Sequence, residues 1–379
     1  MVVRPVTDRE ERRAPLAPEH VKKLGSDGWK IVIPAGLGER ATFTDDAYRE
    51  AGAAVVDASD DRLRGPGVVL TLFPPTPEEI DGFADGSSVL GFLDPFGSGS
   101  SIRRLAERGL DAVSLELVPR TTIAQSMDAL SSQANLAGYA AVLLASSRLT
   151  KALPMMSTAA GTIRPAKVLV VGTGVAGLQA IATAQRLGAR VTAYDVRPVA
   201  KEQVESLGAR FAKIDLGETG EAKGGYAKAL TDDQLTRQRE QLAKLCAESD
   251  IIITTAQIFG RRAPVIVTDD MVRGMAPGSV IVDAAAATGG NVQGGVAGEE
   301  RVIDGVTVIA DAHLPSRVAS DATRVLGANI VNLVTHAFDP RTGRVRGGDR
   351  DEITSGVLLT SGGEILDERV RTAVNEGSV

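Results

Sequence analysis

One glycine-rich pattern stands directly after an apolar stretch of this sequence and directly before a helix-like segment. Its residues, in the form G-x-G-x-x-G, are Gly172, Thr173, Gly174, Val175, Ala176 and Gly177. In this context the first glycine permits a tight turn, the second lets backbone amides approach a pyrophosphate, and the third lets the helix lie close to the strand. The helix N-terminus adds partial positive charge at the same place. The pattern therefore predicts a dinucleotide-binding turn.

An acidic residue follows at the spacing that such a turn requires. The next apolar run, RVTAYD, ends in Asp195, 18 residues beyond Gly177. A carboxylate there accepts hydrogen bonds from ribose hydroxyls and repels a 2′-phosphate, which favours NAD(H). Arg197 keeps the alternative open, because a guanidinium could hold a 2′-phosphate or flank the adenine. We interpret the segment as an NAD(H) site that also includes Val196.

A second candidate for chemistry is a polar segment that begins at Arg120. If a helix begins near Gln125, then Gln125, Asp128 and Ser132 share one face. Beside a preceding arginine, such a face could line a cleft between two domains, where ligands commonly bind. The alternative is structural, since an aspartate in a first helical turn complements the helix dipole and a serine-rich face can be solvated. Spacing alone leaves both interpretations open.

Composition narrows the class of protein. The 379 residues are 43% hydrophobic, carry a formal charge of −6 and include one cysteine, Cys246. Mixed charge without a basic stripe argues against nucleic acid, and one cysteine excludes an internal disulfide and argues against a Cys-based metal site. No apolar stretch approaches the roughly 18–20 residues that span a bilayer. We therefore expect a soluble, cytoplasmic protein of about two domains, without a metal.

Short apolar runs alternate with helix-like segments along most of the chain. They occupy residues 29–34, 53–56, 67–73, 88–93 and 111–117, and then 167–171, 190–195, 250–256, 278–285 and 306–310. Continuous apolar runs separated by helices are typical of parallel strands that are buried on both faces. The predicted fold class is α/β, with two doubly wound Rossmann-like domains, parallel sheets, long linking helices and a nucleotide in the cleft between the domains.

Two long helix-like segments set the predicted domain boundaries. Residues 124–149 leave the first domain, and roughly Ala319 to Phe338 carry the chain back to it. We predict a discontinuous N-terminal Rossmann-like domain of residues 1–130 and 325–379, and an NAD(H)-binding Rossmann domain of residues 131–324. The tail at 353–366 is predicted to be an edge element that contains a turn.

Both candidate segments carry a resemblance to a known family. AQSMDALSSQANLAGYAAVLLA (124–145) and VGTGVAGLQAIATAQRLGARVTAYDVRPVAKEQVESLGARF (171–211) resemble the NAD(H)-binding component of proton-translocating nicotinamide nucleotide transhydrogenases. ITTAQIFGRRAP, GSVIVDAAAATGGN and LPSRVASDA resemble further family segments, so the likeness covers nearly the whole chain. The resemblance implies direct hydride transfer from NADH on this chain to NADP⁺ on a partner subunit, without a protein acid or base.

The resemblance also implies a role for individual residues. Arg120, Asp128 and Ser131 would orient the nicotinamide and its carboxamide, while Gln125 would reach toward the second nucleotide. Asp195 would bind the adenosine ribose. The remaining implied cofactor-binding residues are Val196, Arg197, Ala256, Gln257 and Tyr226. Tyr226 would sit on a loop that closes over bound nucleotide, and Gly224 and Gly225 are either the hinges of that loop or part of an ordinary flexible connection.

The sequence departs from the family pattern at several positions. Ile123 stands where the family commonly has a second arginine, Thr71 where it has a lysine, and Ala287 where it has a glutamate. Gln257 and Phe259 replace a leucine and a proline. These departures leave open how efficient the transfer is and how well the chain fits its partners.

The implied partners are an NADP(H)-binding subunit, a membrane-helix subunit and a second copy of this chain. They would place the protein peripherally at the inner face of the cell membrane. The proton channel and the NADP(H) site would then lie on other polypeptides.

Two alternatives remain. An alanine dehydrogenase shares the architecture but uses a lysine and a histidine where this chain has Thr71 and Asp94, and His20, His313 and His336 lie elsewhere. A diverged, non-catalytic NAD-sensing protein would tolerate Ile123 and Ala287.

Overall fold

A computed structural model describes residues 1–214, 231–347 and 351–375. The chain forms two compact units, one of Met1–Gln133 with Val318–Val379 and the other of Ala134–Arg317. The first unit is therefore assembled from two separate stretches of chain. The chain leaves it inside the long helix that begins at Ala129 and re-enters it one residue before the helix that begins at Ala319.

The first stretch of the first unit alternates strands and helices. Its strands are β1 (Val2–Val3), β2 (Val32–Pro34), β3 (Ala54–Val56), β4 (Val68–Thr71), β5 (Ser88–Gly91) and β6 (Asp111–Ser114). Its helices are α1 (Pro18–Ser26), α2 (Asp45–Glu50), α3 (Pro77–Asp81) and α4 (Gly99–Glu107), and α5 (Ala129–Arg148) continues into the second unit. Thr76 and Glu79 form a reciprocal capping box that fixes the start of α3.

The second unit and the C-terminal stretch continue the alternation. The strands of the second unit are β7 (Met156–Thr158), β8 (Gly161–Ile163), β9 (Lys167–Val171), β10 (Arg190–Tyr194), β11 (Arg210–Phe211), β12 (Ile251–Thr254), β13 (Val280–Asp283), β14 (Glu299–Ile303) and β15 (Val306–Ala310). Its helices are α6 (Val175–Arg186), α7 (Ala200–Ser206), α8 (Asp232–Ala247) and α9 (Asp269–Arg273). The C-terminal stretch adds α10 (Ala319–Ala337), β16 (Phe338–Asp339), β17 (Arg344–Val345), α11 (Glu352–Val357), β18 (Leu358–Ser361), β19 (Glu364–Ile365) and α12 (Glu368–Asn375).

The sheet of the first unit has eight strands in the order β19-β18-β6-β5-β4-β1-β2-β3. The first six strands of the chain are parallel and follow the doubly wound order 3-2-1-4-5-6. The strand β1, which was not predicted from the sequence, places its two residues at the centre of the sheet between β4 and β2. The tail predicted as an edge element begins with a helix, and its strand β18 runs antiparallel to β6.

The sheet of the second unit repeats this arrangement in seven strands, ordered β11-β10-β9-β12-β13-β15-β14. The strands β9 to β13 and β15 are parallel, and β14 is an antiparallel edge strand that the sequence analysis did not predict. Both sheets are therefore mostly parallel, which confirms the predicted α/β fold class, and the antiparallel pairs lie at their edges. Apart from this sheet, β7 and β8 form a hairpin whose residues are all exposed.

Both faces of the second sheet are covered. Along β9, Val168 and Val170 belong to one buried cluster, whereas Leu169 and Val171 belong to another. Successive side chains of a strand point to opposite faces, so the two clusters are the two sides of one sheet. This explains why the strand sequences are continuously apolar rather than alternating. Within the described ranges, no helix has the length and apolar character needed to cross a bilayer.

Candidate functional site

The glycine turn lies at the point where the strand order of the second sheet reverses. It follows β9, and the loop after the neighbouring strand β12 runs beside it. The hydroxyl of Thr255 donates to the carbonyl of Gly172 at 3.0 Å. Gly172 has φ +90°, and a Cβ there would come within 2.9 Å of the amide nitrogen of Ala256. In doubly wound sheets this reversal point forms the ligand crevice, and the two loops that meet there carry predicted cofactor-binding residues.

The three glycines of the turn face different surroundings. A Cβ at Gly177 would overlap the carbonyl oxygen of Gly172, so this position holds α6 against the turn. By contrast, Gly174 is the N-cap residue of α6, is exposed, and would place a Cβ in open space. Val175, the first residue of the helix, is 42% exposed although it is apolar. The turn therefore leaves a bare stretch of backbone at a helix N-terminus, the surface that a pyrophosphate needs.

Asp195 lies beside the turn, and protein donors already surround its carboxylate. The amide and the hydroxyl of Thr173 donate to Oδ2 at 2.8 and 2.9 Å. Arg197 donates to the same carboxylate through its amide, Nε and Nη2, at 2.9 to 3.0 Å. Burial raises the pKa of Asp195, but the hydrogen bonds and charge of Arg197 outweigh it and the net pKa is lowered. A carboxylate has about four lone-pair sites, so ribose hydroxyls would have to replace one of these donors.

The loop after β12 is held by a buried network that the sequence analysis did not identify. Asn291 is fully buried, and its Nδ2 donates to the carbonyls of Ala256 and Pro264, both at 2.8 Å. Its Oδ1 accepts from the amide of Ala256 at 3.0 Å. Gln257, the next residue, is exposed, and its Nε2 lies 3.4 Å from the carbonyl of Ala284. The sequence signal for this network is the Gly-Gly-Asn turn of Gly289, Gly290 and Asn291, which follows the apolar strand β13.

Asp283 holds Asn291 in turn. Its carboxylate accepts from the amides of Asn291 and Val292 at 2.7 and 3.1 Å, and from Thr254 and Ala285 at 3.0 and 2.9 Å. Burial raises the pKa of Asp283, and these hydrogen bonds offset part of the rise. The ends of β12 and β13 are thus tied to the loop that approaches the glycine turn.

The polar segment of the first unit differs from the predicted helix. Residues Ile123–Met127 form a 3₁₀ turn, and the α-helix begins only at Ala129. Asp128 separates the two elements, since its ψ of 87° is not helical. Its carboxylate accepts from the amide of Ser131 at 2.9 Å and from the hydroxyl of Ser131 at 2.5 Å. An aspartate that can cap a helix favours starting the helix after itself. The helix expected over residues 124–149 therefore begins at Ala129, and the condition under which Gln125, Asp128 and Ser132 would share one helix face is not met.

Of the predicted catalytic set, the structure joins Asp128 and Ser131 by hydrogen bonds. The other two members lie in the segment before them. Ala124 and Met127 are buried, while Gln125 is exposed on the 3₁₀ turn, one turn before Asp128. Arg120 is also exposed and precedes the turn. Ile123 is 77% exposed. Tyr226, with Gly224 and Gly225, lies outside the described residues.

The positions that an alanine dehydrogenase would use are occupied differently. The hydroxyl of Thr71 donates to the carbonyl of Phe73 at 2.5 Å. Asp94 has φ +43°, and burial raises the pKa of its carboxyl although the amide of Gly97 lowers it. His20 has a structural hydrogen bond, because its Nδ1 accepts from the amide of Ala17 at the start of α1. Among the described residues, no group of three or more His, Cys, Asp or Glu side chains is arranged to bind a metal.

The fold and the glycine turn define a two-domain α/β protein of the dinucleotide-binding class. Two family models cover most of the chain, the alanine dehydrogenase/PNT N-terminal domain at residues 2–137 and the C-terminal domain at residues 141–368. The chain belongs to the alanine dehydrogenase/PNT family.

Relatives within the family differ in their similarity to this chain. The first part of subunit alpha of NAD(P) transhydrogenase from Rhodospirillum rubrum is 42% identical over 94% of both chains. The crystal structure of a transhydrogenase from Sinorhizobium meliloti matches 97% of this chain and all of that chain, with a TM-score of 0.82 and 40% identity. Alanine dehydrogenase of Bacillus subtilis is 28% identical over 75% of this chain and 69% of its own length. The chain is thus more similar to these transhydrogenase polypeptides than to this alanine dehydrogenase.

Proposed function

We propose that this chain is the NAD(H)-binding component of a proton-translocating transhydrogenase and passes hydride from NADH to NADP⁺ held by a partner subunit. The observation that carries the proposal is the glycine turn at the reversal point of the second sheet. Gly174 and the start of α6 present bare backbone there, and full-length similarity to a transhydrogenase subunit supports the choice of reaction.

The residues of the second unit fit the dinucleotide. The amides at the start of α6 would receive the pyrophosphate, and Asp195 would accept from the adenosine ribose in place of one of its present donors. Because Arg197 neutralises Asp195 at 3.0 Å, it offers no uncommitted charge to a 2′-phosphate, which supports NAD(H). Ala256 and Gln257 would line the opposite wall.

The residues of the first unit would orient the reacting ring. The bound NADH supplies the hydride, so the protein needs only to position the ring and exclude water. Arg120, Asp128 and Ser131 are proposed to hold the carboxamide end, and exposed Gln125 to face the second nucleotide. Ser131 and Asp128 already bond to each other, so the pair would act as one polar group.

Reconstitution tests the proposal. Purified chain is titrated with NADH and with NADPH, and then mixed with a purified NADP(H)-binding transhydrogenase subunit to measure hydride transfer between the two nucleotides. We expect preferential NADH binding and transfer only when both proteins are present. NADH binding without transfer would support the sensing alternative, and NADH oxidation with pyruvate and ammonia by the chain alone would support the dehydrogenase alternative.

The proposal extends to the assembly. We propose a homodimer that associates peripherally with a membrane through its partner subunits. The exposed hairpin β7–β8, next to Met155 with 67% exposure and including Met156 and Ile163 with 42% each, is the apolar surface that supports an oligomer. Sedimentation of the purified chain checks the dimer, and the monomer mass at micromolar concentration would contradict it.

A further inference from the structure

We propose that Asn329 is a positioning residue for hydride transfer, because it fixes the backbone that presents Gln125. This inference rests on the proposed function above. Asn329 lies on α10, about 200 residues after Gln125 in the sequence, and is 7% exposed. Its Nδ2 donates to the carbonyl of Ser126 at 2.8 Å.

The carbonyl of Ser126 belongs to the second half of the 3₁₀ turn. A second amide from α10, Nδ2 of Asn332, donates to the same oxygen at 3.0 Å. Asn329 and Asn332 are three residues apart and therefore share one face of the helix. Two donors on one carbonyl hold the turn from the α10 side, while Ala124 and Met127 anchor it in the core of the first unit.

The orientation of Asn329 is itself determined. Its Oδ1 accepts from the hydroxyl of Ser132 at 2.6 Å, while its amide nitrogen faces the carbonyl of Ser126. A carbonyl can only accept, so the amide cannot turn over without placing two oxygens against each other. Ser132 therefore stabilises the 3₁₀ turn indirectly, because it orients the Asn329 amide that donates to the turn.

The network continues beyond Ser132. Nε2 of Gln133 donates to the carbonyl of Ala322 at 3.2 Å, and its Oε1 accepts from Arg13 at 2.8 Å. Arg13 is held by two bonds from its guanidinium to Glu11, whose side chain is fully buried. The first turn of α5 therefore cannot shift freely along α10. In consequence the exposed side chain of Gln125 projects from a backbone that is fixed on its inner side.

The rate of hydride transfer depends more strongly on the position of the 3₁₀ turn than the affinity for NADH does. A misplacement of about 1 Å in the reacting geometry can reduce a rate by about 100-fold. NADH affinity, in contrast, would come mainly from the glycine turn and Asp195 in the second unit, which this network does not touch. A loosened 3₁₀ turn is therefore expected to lower the transfer rate and to leave the dissociation constant for NADH nearly unchanged.

The test compares Asn329→Asp, Asn332→Ala and the exposed control Thr335→Ala on the same helix. Asn329→Asp keeps the acceptor for Ser132 and replaces the donor to Ser126 by an oxygen. We expect about tenfold slower hydride transfer to the NADP(H)-binding subunit, with a change in NADH affinity below about twofold. Asn332→Ala, which removes a donor from an exposed position, should slow transfer about threefold. Thr335→Ala should match the wild type.

Amide hydrogen exchange on the free chain provides a second readout that needs no partner subunit. Residues 124–128 should exchange faster in Asn329→Asp, and the sheet of the second unit should not change. Wild-type transfer rates in both asparagine variants, or a loss confined to NADH affinity, would overturn the positioning role. Unchanged exchange at residues 124–128 would overturn it as well. Absence of transfer in the wild-type reconstitution would instead refute the proposed function.

Discussion

The two units share the strand order 3-2-1-4-5-6 but hold their candidate residues by opposite means. In the second unit, the turn after the first strand depends on glycines, and a side chain at Gly177 would collide with the backbone. In the first unit, the segment that carries Gln125 and Asp128 depends on side chains from Ser131, Ser132 and Asn329. The glycine turn thus depends on the absence of side chains, whereas the segment of Gln125 and Asp128 depends on hydrogen bonds between side chains.

This difference suggests that the second unit binds the nucleotide and the first unit orients its reacting ring. A bare backbone can accept a pyrophosphate without depending on the rest of the nucleotide, so it suits binding. A polar network can fix a few atoms relative to one another, so it suits orientation. Substitutions in the two regions should therefore separate nucleotide affinity from the rate of transfer.

The largest effect is expected from Gly177→Ala. Its Cβ would overlap the carbonyl of Gly172, so α6 must move away from β9. We expect the free energy of unfolding of the second unit to fall by about 3 kcal/mol and NADH binding to be lost. Urea unfolding and NADH fluorescence measure the two quantities. Wild-type stability in this variant would show that the close approach of α6 is not needed.

A smaller loss of stability is expected from Asn291→Ala. The change removes a buried side chain that bonds to Ala256 and Pro264 and leaves their polar groups without it. The expected loss is about 2 kcal/mol, with weaker NADH binding because the loop after β12 is released. Gln293→Ala, two residues later and exposed, is the matched control and should change stability by less than about 0.5 kcal/mol.

Gly174→Ala should separate binding from stability within the glycine turn. Its φ of −72° suits any residue, and a Cβ meets nothing within 4 Å. The folded protein should therefore be as stable as the wild type or slightly more stable. NADH affinity should fall about tenfold, or about 1.4 kcal/mol, because the methyl group occupies the approach of the pyrophosphate. Calorimetric titration checks the affinity, and wild-type affinity would place the pyrophosphate elsewhere.

The smallest change in free energy among these variants is expected at Asp128, where two substitutions distinguish a helix cap from a functional carboxylate. Asp128→Ala removes the acceptor for the amide of Ser131 and should cost about 1 kcal/mol, whereas Asp128→Ser retains a capping oxygen and most of the stability. If the carboxylate orients the nicotinamide, both variants should slow hydride transfer to a similar extent. Normal transfer in Asp128→Ser would reduce Asp128 to a structural cap.

The sequence was sufficient for the features that depend on local residue types. The glycine turn was predictable because its three glycines, the preceding strand and Asp195 lie within 29 residues of each other. The parallel strands were predictable because burial on both faces requires continuous apolar runs. The two-residue strand β1 was missed because so short a run carries no periodicity.

The polar networks could not be predicted in the same way. Ser132 and Asn329 are 197 residues apart, and Asp283 reaches Asn291 only through a turn with two glycines at positive φ. Nothing near an asparagine in the sequence indicates which carbonyl it will meet. The start of α5 was misplaced because helix propensity favoured residues 124–149 throughout, whereas the capping preference of Asp128 determined the actual start.

The interrupted first unit also has a consequence for how the chain folds. Its sheet pairs Leu358 of β18 with Val113 of β6, and α10 supplies Leu326, Ile330 and Val334 to its core. The second unit, in contrast, is one continuous stretch. During synthesis, the N-terminal third therefore cannot complete its core until the last sixty or so residues have been made. The segment between them can complete its own core earlier. A nascent chain that stalls before α10 would expose the apolar face that α10 normally covers, which makes it a target for chaperones.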